Sequence, residues 1–318
     1  MAASWKRRTA LALATASLAL LTACGSSTTE SALRPERFVA FGDGMADVGQ
    51  NGVRYTVNDG SVNNWTLQLA SRYGQTLTPA SVGGTSYAVG NARVVATPDA
   101  VGNASTPTVQ AQIDRFLAQG GKFGPNDVVM VNAGVSDVIA EMAAVTAQQK
   151  TAAQMVTSSR QAGEALAGQV RRLIDAGAKY VIVSDIYNLG RSPWAKAIGQ
   201  TALLGDASTA FNEGLKVSLV DQGGNVLYVD QAFYVNIYVD TPANLGFSNG
   251  TTPICTSVDA NNSLGIGNNQ VSSTLCTPQT LLPNAKLDSY VFADSVYLTP
   301  NAHRVFGNYA YDRLRLRW

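Results

Sequence analysis

FVAFGDGMADVGQNG, from Phe38 to Gly52, is the stretch whose reading decides the fold. Phe38-Val39-Ala40-Phe41 is apolar throughout, with the aromatic and β-branched composition of a buried strand, and it breaks abruptly into Gly42-Asp43-Gly44. A strand ending in so sharp a turn presents one side chain at the top of an α/β sheet, where a nucleophile is carried when there is one. Here the presented residue is Gly44, which has no side chain. The stretch states an architecture and withholds an attacking group.

Outward from it, strand and helix patterns alternate along the chain. Phe38–Phe41, Asp127–Asn132, Tyr180–Ser184 and Val226–Asp230 read as strands, and Ser86–Val89 is a short apolar piece between glycines. Asn64–Tyr73, Val109–Gln119, Ala152–Ala176, Thr209–Gln222 and Thr299–Leu314 carry apolar residues at helical spacing, several ending at glycine. Strands separated by helices predict a three-layer α/β/α sandwich around a central parallel sheet. Functional groups in such folds collect beyond the carboxyl ends of the strands, here Gly42–Asp47, Ala133–Asp137 and Asn188–Ser192. Ala243–Pro283, rich in Asn, Gly, Ser and Thr, reads as a long excursion near the site rather than a second domain.

The amino terminus stands apart from this domain. Lys6-Arg7-Arg8 precede an apolar run from Ala10 to Leu21 that is short for a membrane span. Leu21-Thr22-Ala23-Cys24 follows and resembles the lipobox of bacterial lipoproteins, in which Cys24 becomes the lipidated first residue; the other reading is a plain secretory signal with an incidental cysteine. The expected organisation is a signal peptide over 1–23, lipidated Cys24 and a flexible tether over 24–36, and one domain over 37–318. Lipid on Cys24 implies a membrane-anchored protein of the cell envelope, and Gly25-Ser26 carry no acidic retention cue, which points to the outer membrane.

With 46% hydrophobic residues the chain can build a large core, and a net charge of +1 without a basic stripe predicts no nucleic-acid partner. A single histidine and no paired-cysteine spacing predict no metal site, and no cofactor is expected. Cys255 and Cys276 remain as a pair in an oxidising compartment, so a disulfide is expected, with two free thiols as the alternative.

These blocks together resemble the GDSL (SGNH) lipase/esterase family, whose fold is flavodoxin-like. Phe41 to Gly49 is similar to the family's first block, Gly83-Gly84-Thr85-Ser86-Tyr87-Ala88-Val89-Gly90 to its second, and Asn132 to Asp137 falls where the third belongs. Asp294-Ser295-Val296-Tyr297 stands where the family writes Asp-x-x-His, followed by Ala302-His303-Arg304. Asn63-Asn64-Trp65 and Leu189-Gly190 before Ser192-Pro193 are smaller likenesses. The resemblance covers nearly the whole domain in order and spacing.

Ester cleavage by that family's route needs a hydroxyl, a base near neutral pH held by a carboxylate, and N–H donors for the oxyanion. The resemblance assigns the nucleophile's place to Gly44, the base's to Tyr297, the carboxylate's to Asp294, and the oxyanion donors' to Gly84 and Ser136. The nucleophile serine, the histidine and the oxyanion asparagine are all replaced. The expectation is a pseudoenzyme that keeps its cleft for an acyl, glycan or small apolar ligand. The competing expectation is an active esterase with a relocated nucleophile, for which His303 is the available imidazole.

Overall fold

The computed structural model describes residues 31–318. Cys24 and the signal peptide lie outside the described residues. β1 (Arg37–Gly42), β2 (Asp127–Asn132), β3 (Tyr180–Ser184) and β4 (Val226–Val229) form one parallel sheet in that order, with Ala40 opposite Met130 and Met130 opposite Ile182. Their apolar runs are continuous because both faces of the sheet are covered. Residues 85–89 extend the sheet along the free side of β1: Ala40 N–H donates to Thr85 O at 3.1 Å, Tyr87 N–H to Ala40 O at 2.7 Å and Val89 N–H to Gly42 O at 3.1 Å. The chain thus runs from β1 to one side, then crosses to β2 on the other, and the crevice between the ends of β1 and β2 is the topological switch point.

Strand periodicity divides the core in two. Val39, Phe41, Val129, Val131, Val181 and Val183 pack with α2 (Val109–Ala118), α3 (Val135–Thr146), α4 (Ala152–Asp175) and α6 (Thr201–Val217). Phe38, Ala40, Val128, Met130 and Ile182 pack with α1 (Trp65–Arg72) and α8 (Pro300–Arg317) on the opposite face. Side chains fix where these helices begin: Asn64 caps α1, Thr151 and Gln154 form a capping box on α4, and Thr299 caps α8 with Pro300 in its first turn.

Two features differ from the sequence reading. α6 begins at Thr201 rather than Thr209, because Gly205 lies within the helix instead of stopping it. Val135–Thr146 is a helix whose first two turns are almost wholly buried, so it lacks the polar face that periodicity looks for. Leu33 is 4% exposed and belongs to the core cluster of Phe38, Leu69 and Leu314.

After α5 (Pro193–Ala197) and α7 (Gln231–Asp240) comes the excursion. β5 (Asn249–Pro253) pairs with β8 (Tyr290–Phe292), and β6 (Val258–Asp259) with β7 (Gln270–Val271). Cys255 and Cys276 form a disulfide, buried with Val57, Ile254 and Ala293. Among the described residues no helix is long and apolar enough to cross a membrane, and no group of three or more His, Cys, Asp and Glu side chains could hold a metal ion.

Candidate functional site

The turn after β1 is built by two aspartates. Gly42 must be glycine because a Cβ there would strike the Asn132 carbonyl of β2. Asp43 then accepts from Met45 N–H at 3.0 Å, and across the switch point from Gly134 N–H at 3.0 Å and Ser136 N–H at 3.3 Å. Its carboxyl is fully buried, and burial raises its pKa to about 7 against the pull of those bonds. Asp47 accepts from Gly49 and Gln50 N–H, each at 2.8 Å, and from Gly90 N–H at 2.8 Å. Asn64 and Trp65 extend the brace, with Asn64 Nδ2 donating to Met45 O and Trp65 Nε1 donating to Asn132 Oδ1.

Gly44 is where the turn would present a nucleophile, and the space above it is filled. A Cβ on Gly44 would lie 2.9 Å from Tyr297 Cε1, 2.9 Å from Tyr297 Oη and 2.9 Å from Tyr55 Cγ. The two rings pack with centroids 4.8 Å apart. Tyr297 is completely buried and its hydroxyl has no hydrogen-bond partner. Burial, and next the negative charge of Asp43, push its ionisation well above the ordinary phenol range. Tyr187 closes the side of the cluster, its hydroxyl donating to Val296 O at 2.6 Å.

Asp294 lies in the position the sequence assigns to the carboxylate, and it serves the backbone. Oδ1 accepts from Val296 N–H at 2.7 Å and Tyr297 N–H at 2.6 Å; Oδ2 accepts from Ser273 N–H at 2.8 Å. The carboxylate therefore clasps its own turn to the disulfide excursion, and burial raises its pKa.

The remaining candidates are not brought together as expected. Ser136 is buried, its N–H is taken by Asp43, and its Oγ has no partner. His303, the rescue imidazole, is fully buried with neither ring nitrogen hydrogen-bonded, so no hydroxyl is paired with it. Burial, helped by the nearby Arg304 cation, lowers its pKa to about 3.

Gly84, given an oxyanion donor's place by the resemblance, has its N–H engaged by the backbone. Its N–H donates to Pro79 O at 2.9 Å, and the neighbouring Thr85 hydroxyl donates to Phe38 O, which places Gly84 beside the start of β1 and away from Gly44. Gly90 is the glycine at the site. It is bonded to Asp47, and a Cβ on it would fall inside the Tyr55 ring. The spacing of Gly90 from Ser86 along an extended segment could have marked it. Nothing local marks Tyr55, which comes from a loop without a motif.

The sequence profile of the family described as GDSL-like Lipase/Acylhydrolase matches residues 38–310. The chain belongs to that family. Among curated relatives it is 24% identical over 306 residues to an uncharacterized protein in the trpE-trpG intergenic region of Pseudomonas putida, a match spanning 88% of this chain and 48% of that protein. It is 32% identical over 159 residues to Lipase 1 of Photorhabdus luminescens, spanning 48% of this chain and 22% of that one. The chain thus spans less than half the length of these relatives. Est24, a carbohydrate acetylesterase from Sinorhizobium meliloti, is similar in structure with a TM-score of 0.47 and 13% identity, over 89% of this chain and 99% of that chain.

Proposed function

We propose that this protein is a non-catalytic GDSL-family member of the cell envelope, anchored through lipid on Cys24, that keeps a cleft for an acyl or other small apolar ligand. The observation that carries the reading is the filled space at Gly44, where Tyr55 and Tyr297 occupy the volume a side chain would need. Removing the nucleophile or the base of a serine triad costs about 10⁶ in turnover by itself. A buried phenol with raised pKa accepts no proton at neutral pH, and Asp294 holds backbone N–H groups in place of an imidazole.

A cleft of about 650 Å³ lies between α3, α5 and the excursion, lined by Met142, Val145, Trp194, Ile198, Gln200 and Ile266 among others. None of its lining residues carries an ionisable side chain, which suits an uncharged, largely apolar ligand over a charged one. Trp194 ties it to the old catalytic block through its N–H bond to Ser295 O at 3.0 Å.

The test is turnover of short-chain p-nitrophenyl esters together with labelling by a fluorophosphonate probe. Neither hydrolysis above background nor a covalent adduct is expected. Turnover at rates typical of the family, or a labelled serine, would overturn the reading.

A further inference from the structure

We propose that the end of the domain from which the chain leads back to Cys24 is a docking face for an anionic phospholipid surface. Three arginines there are held by rings and a carbonyl. Arg72 lies 4.4 Å from the centre of the Tyr311 ring, and Arg315 lies 5.6 Å from the same centre. Arg317 donates to Gly223 O. Elsewhere on the surface Arg160, Arg191 and Arg304 are each paired with a carboxylate. Rings and carbonyls leave an arginine's charge in place, so positive charge collects at this end of a mature chain whose net charge, without Lys6, Arg7 and Arg8, is −2. Asp312 and Arg34 face this cluster through Tyr73, and Asp221, paired with Arg171, lies two residues before Gly223.

The surroundings match an interface with headgroups. Tyr73 packs on Tyr311 at 5.1 Å, Trp318 packs on Tyr180 at 5.0 Å, and Leu316 is 79% exposed. Aromatic rings and long arginine stems cover apolar surface while keeping their polar ends in water, the habit of residues at a membrane boundary.

Covalent geometry supplies the orientation. Ser31 stands seven positions after Cys24, so a fully extended link reaches at most about 25 Å. Leu33, buried with Leu314, fixes the chain's exit beside the arginine cluster. An acyl anchor on Cys24 would therefore bring this face, rather than the cleft at the opposite end of the strands, close to the headgroups; a basic patch is the usual second signal beside an acyl chain. This orientation rests on the lipid-anchored reading of Cys24, but the face itself is testable without the lipid.

The experiment uses the mature chain carrying Cys24→Ser, sedimented with vesicles of phosphatidylcholine alone or mixed with phosphatidylglycerol. Binding is expected only to the mixed vesicles, released by added salt, and weakened about 5-fold for each of Arg72→Gln, Arg315→Gln and Arg317→Gln. The charge-matched set Arg160→Gln, Arg191→Gln and Arg304→Gln is expected to leave it unchanged, and unaltered melting curves verify folding. No binding to the mixed vesicles, or equal loss in both sets, overturns the proposal. The intact mass of the wild-type mature protein tests lipidation separately, so an unmodified Cys24 would sink the anchor and leave the vesicle result standing.

Discussion

A Cβ placed on Gly44 comes 2.9 Å from atoms of both Tyr297 and Tyr55, nearer than carbon atoms approach in a packed core. Gly44→Ser by itself should therefore cost about 1–3 kcal/mol in urea denaturation. Paired with Tyr297→His it should cost less than the sum of the two single changes, because the smaller ring makes room; strict additivity would show that the positions are not coupled. Restoring Gly44→Ser, Tyr297→His and Ser136→Asn together is expected to leave p-nitrophenyl acetate untouched, since Tyr55 still lies across Gly44 and Gly90. Turnover is expected only after Tyr55→Ala is added, and a working triple variant would exonerate Tyr55. His303 gives a pH signature. Its folded pKa is about 3 against an ordinary 6.5, so between those values the unfolded chain binds the extra proton and stability falls as pH drops. Asp43 and Asp185, raised to about 7, and Asp137, raised to about 6, act the other way: the folded state keeps protons the unfolded state has released, and stability weakens as pH rises through that range. His303→Leu removes the first effect and keeps the second. Relative to wild type, its thermal stability should climb from pH 7 to pH 4, by up to about 3 kcal/mol; an offset that does not vary with pH would mean the ring protonates freely in the fold.

At the scale of elements, the disulfide excursion and the segment around Asp294 have become one unit. Ser273 N–H is bonded to Asp294, Asn58 N–H donates to Cys276 O at 2.8 Å, and Asn91 Nδ2 donates to Ser263 O at 2.9 Å, so the excursion is stitched to the loops that carry Tyr55 and Gly90. Asp294→Ala would leave three buried N–H groups without an acceptor and should cost about 3 kcal/mol or more. Equilibrium unfolding checks this, and unchanged stability would mean the carboxylate is not a structural clasp. The excursion's place near the site was legible from its composition and position. Its role as a clasp was not, because the donors to Asp294 come from a backbone N–H far away in sequence as well as from its own turn. Gly84 shows the same limit from the other side. Two glycines bracket one short strand, and only its register against β1 says which of them lies beside Asp47.

Across the whole molecule, the parallel sheet sets the slot at the carboxyl ends of the strands and gathers the arginine-rich face at the amino ends, so a docked protein would hold its cleft away from the bilayer. The sequence by itself determined the α/β alternation, the turn after β1 and the family, because apolar periodicity and glycine stops are local properties that survive without neighbours. It also determined that Gly44 offers no hydroxyl and Tyr297 no imidazole, since residue identity limits chemistry wherever the side chain lies. Only the tertiary structure decided what fills the place they left. Tyr55 and Tyr297 meet over Gly44 from segments more than half the chain apart, and Asp294 turns from a ring to the backbone. Such contacts come from long-range packing, which no window of sequence contains.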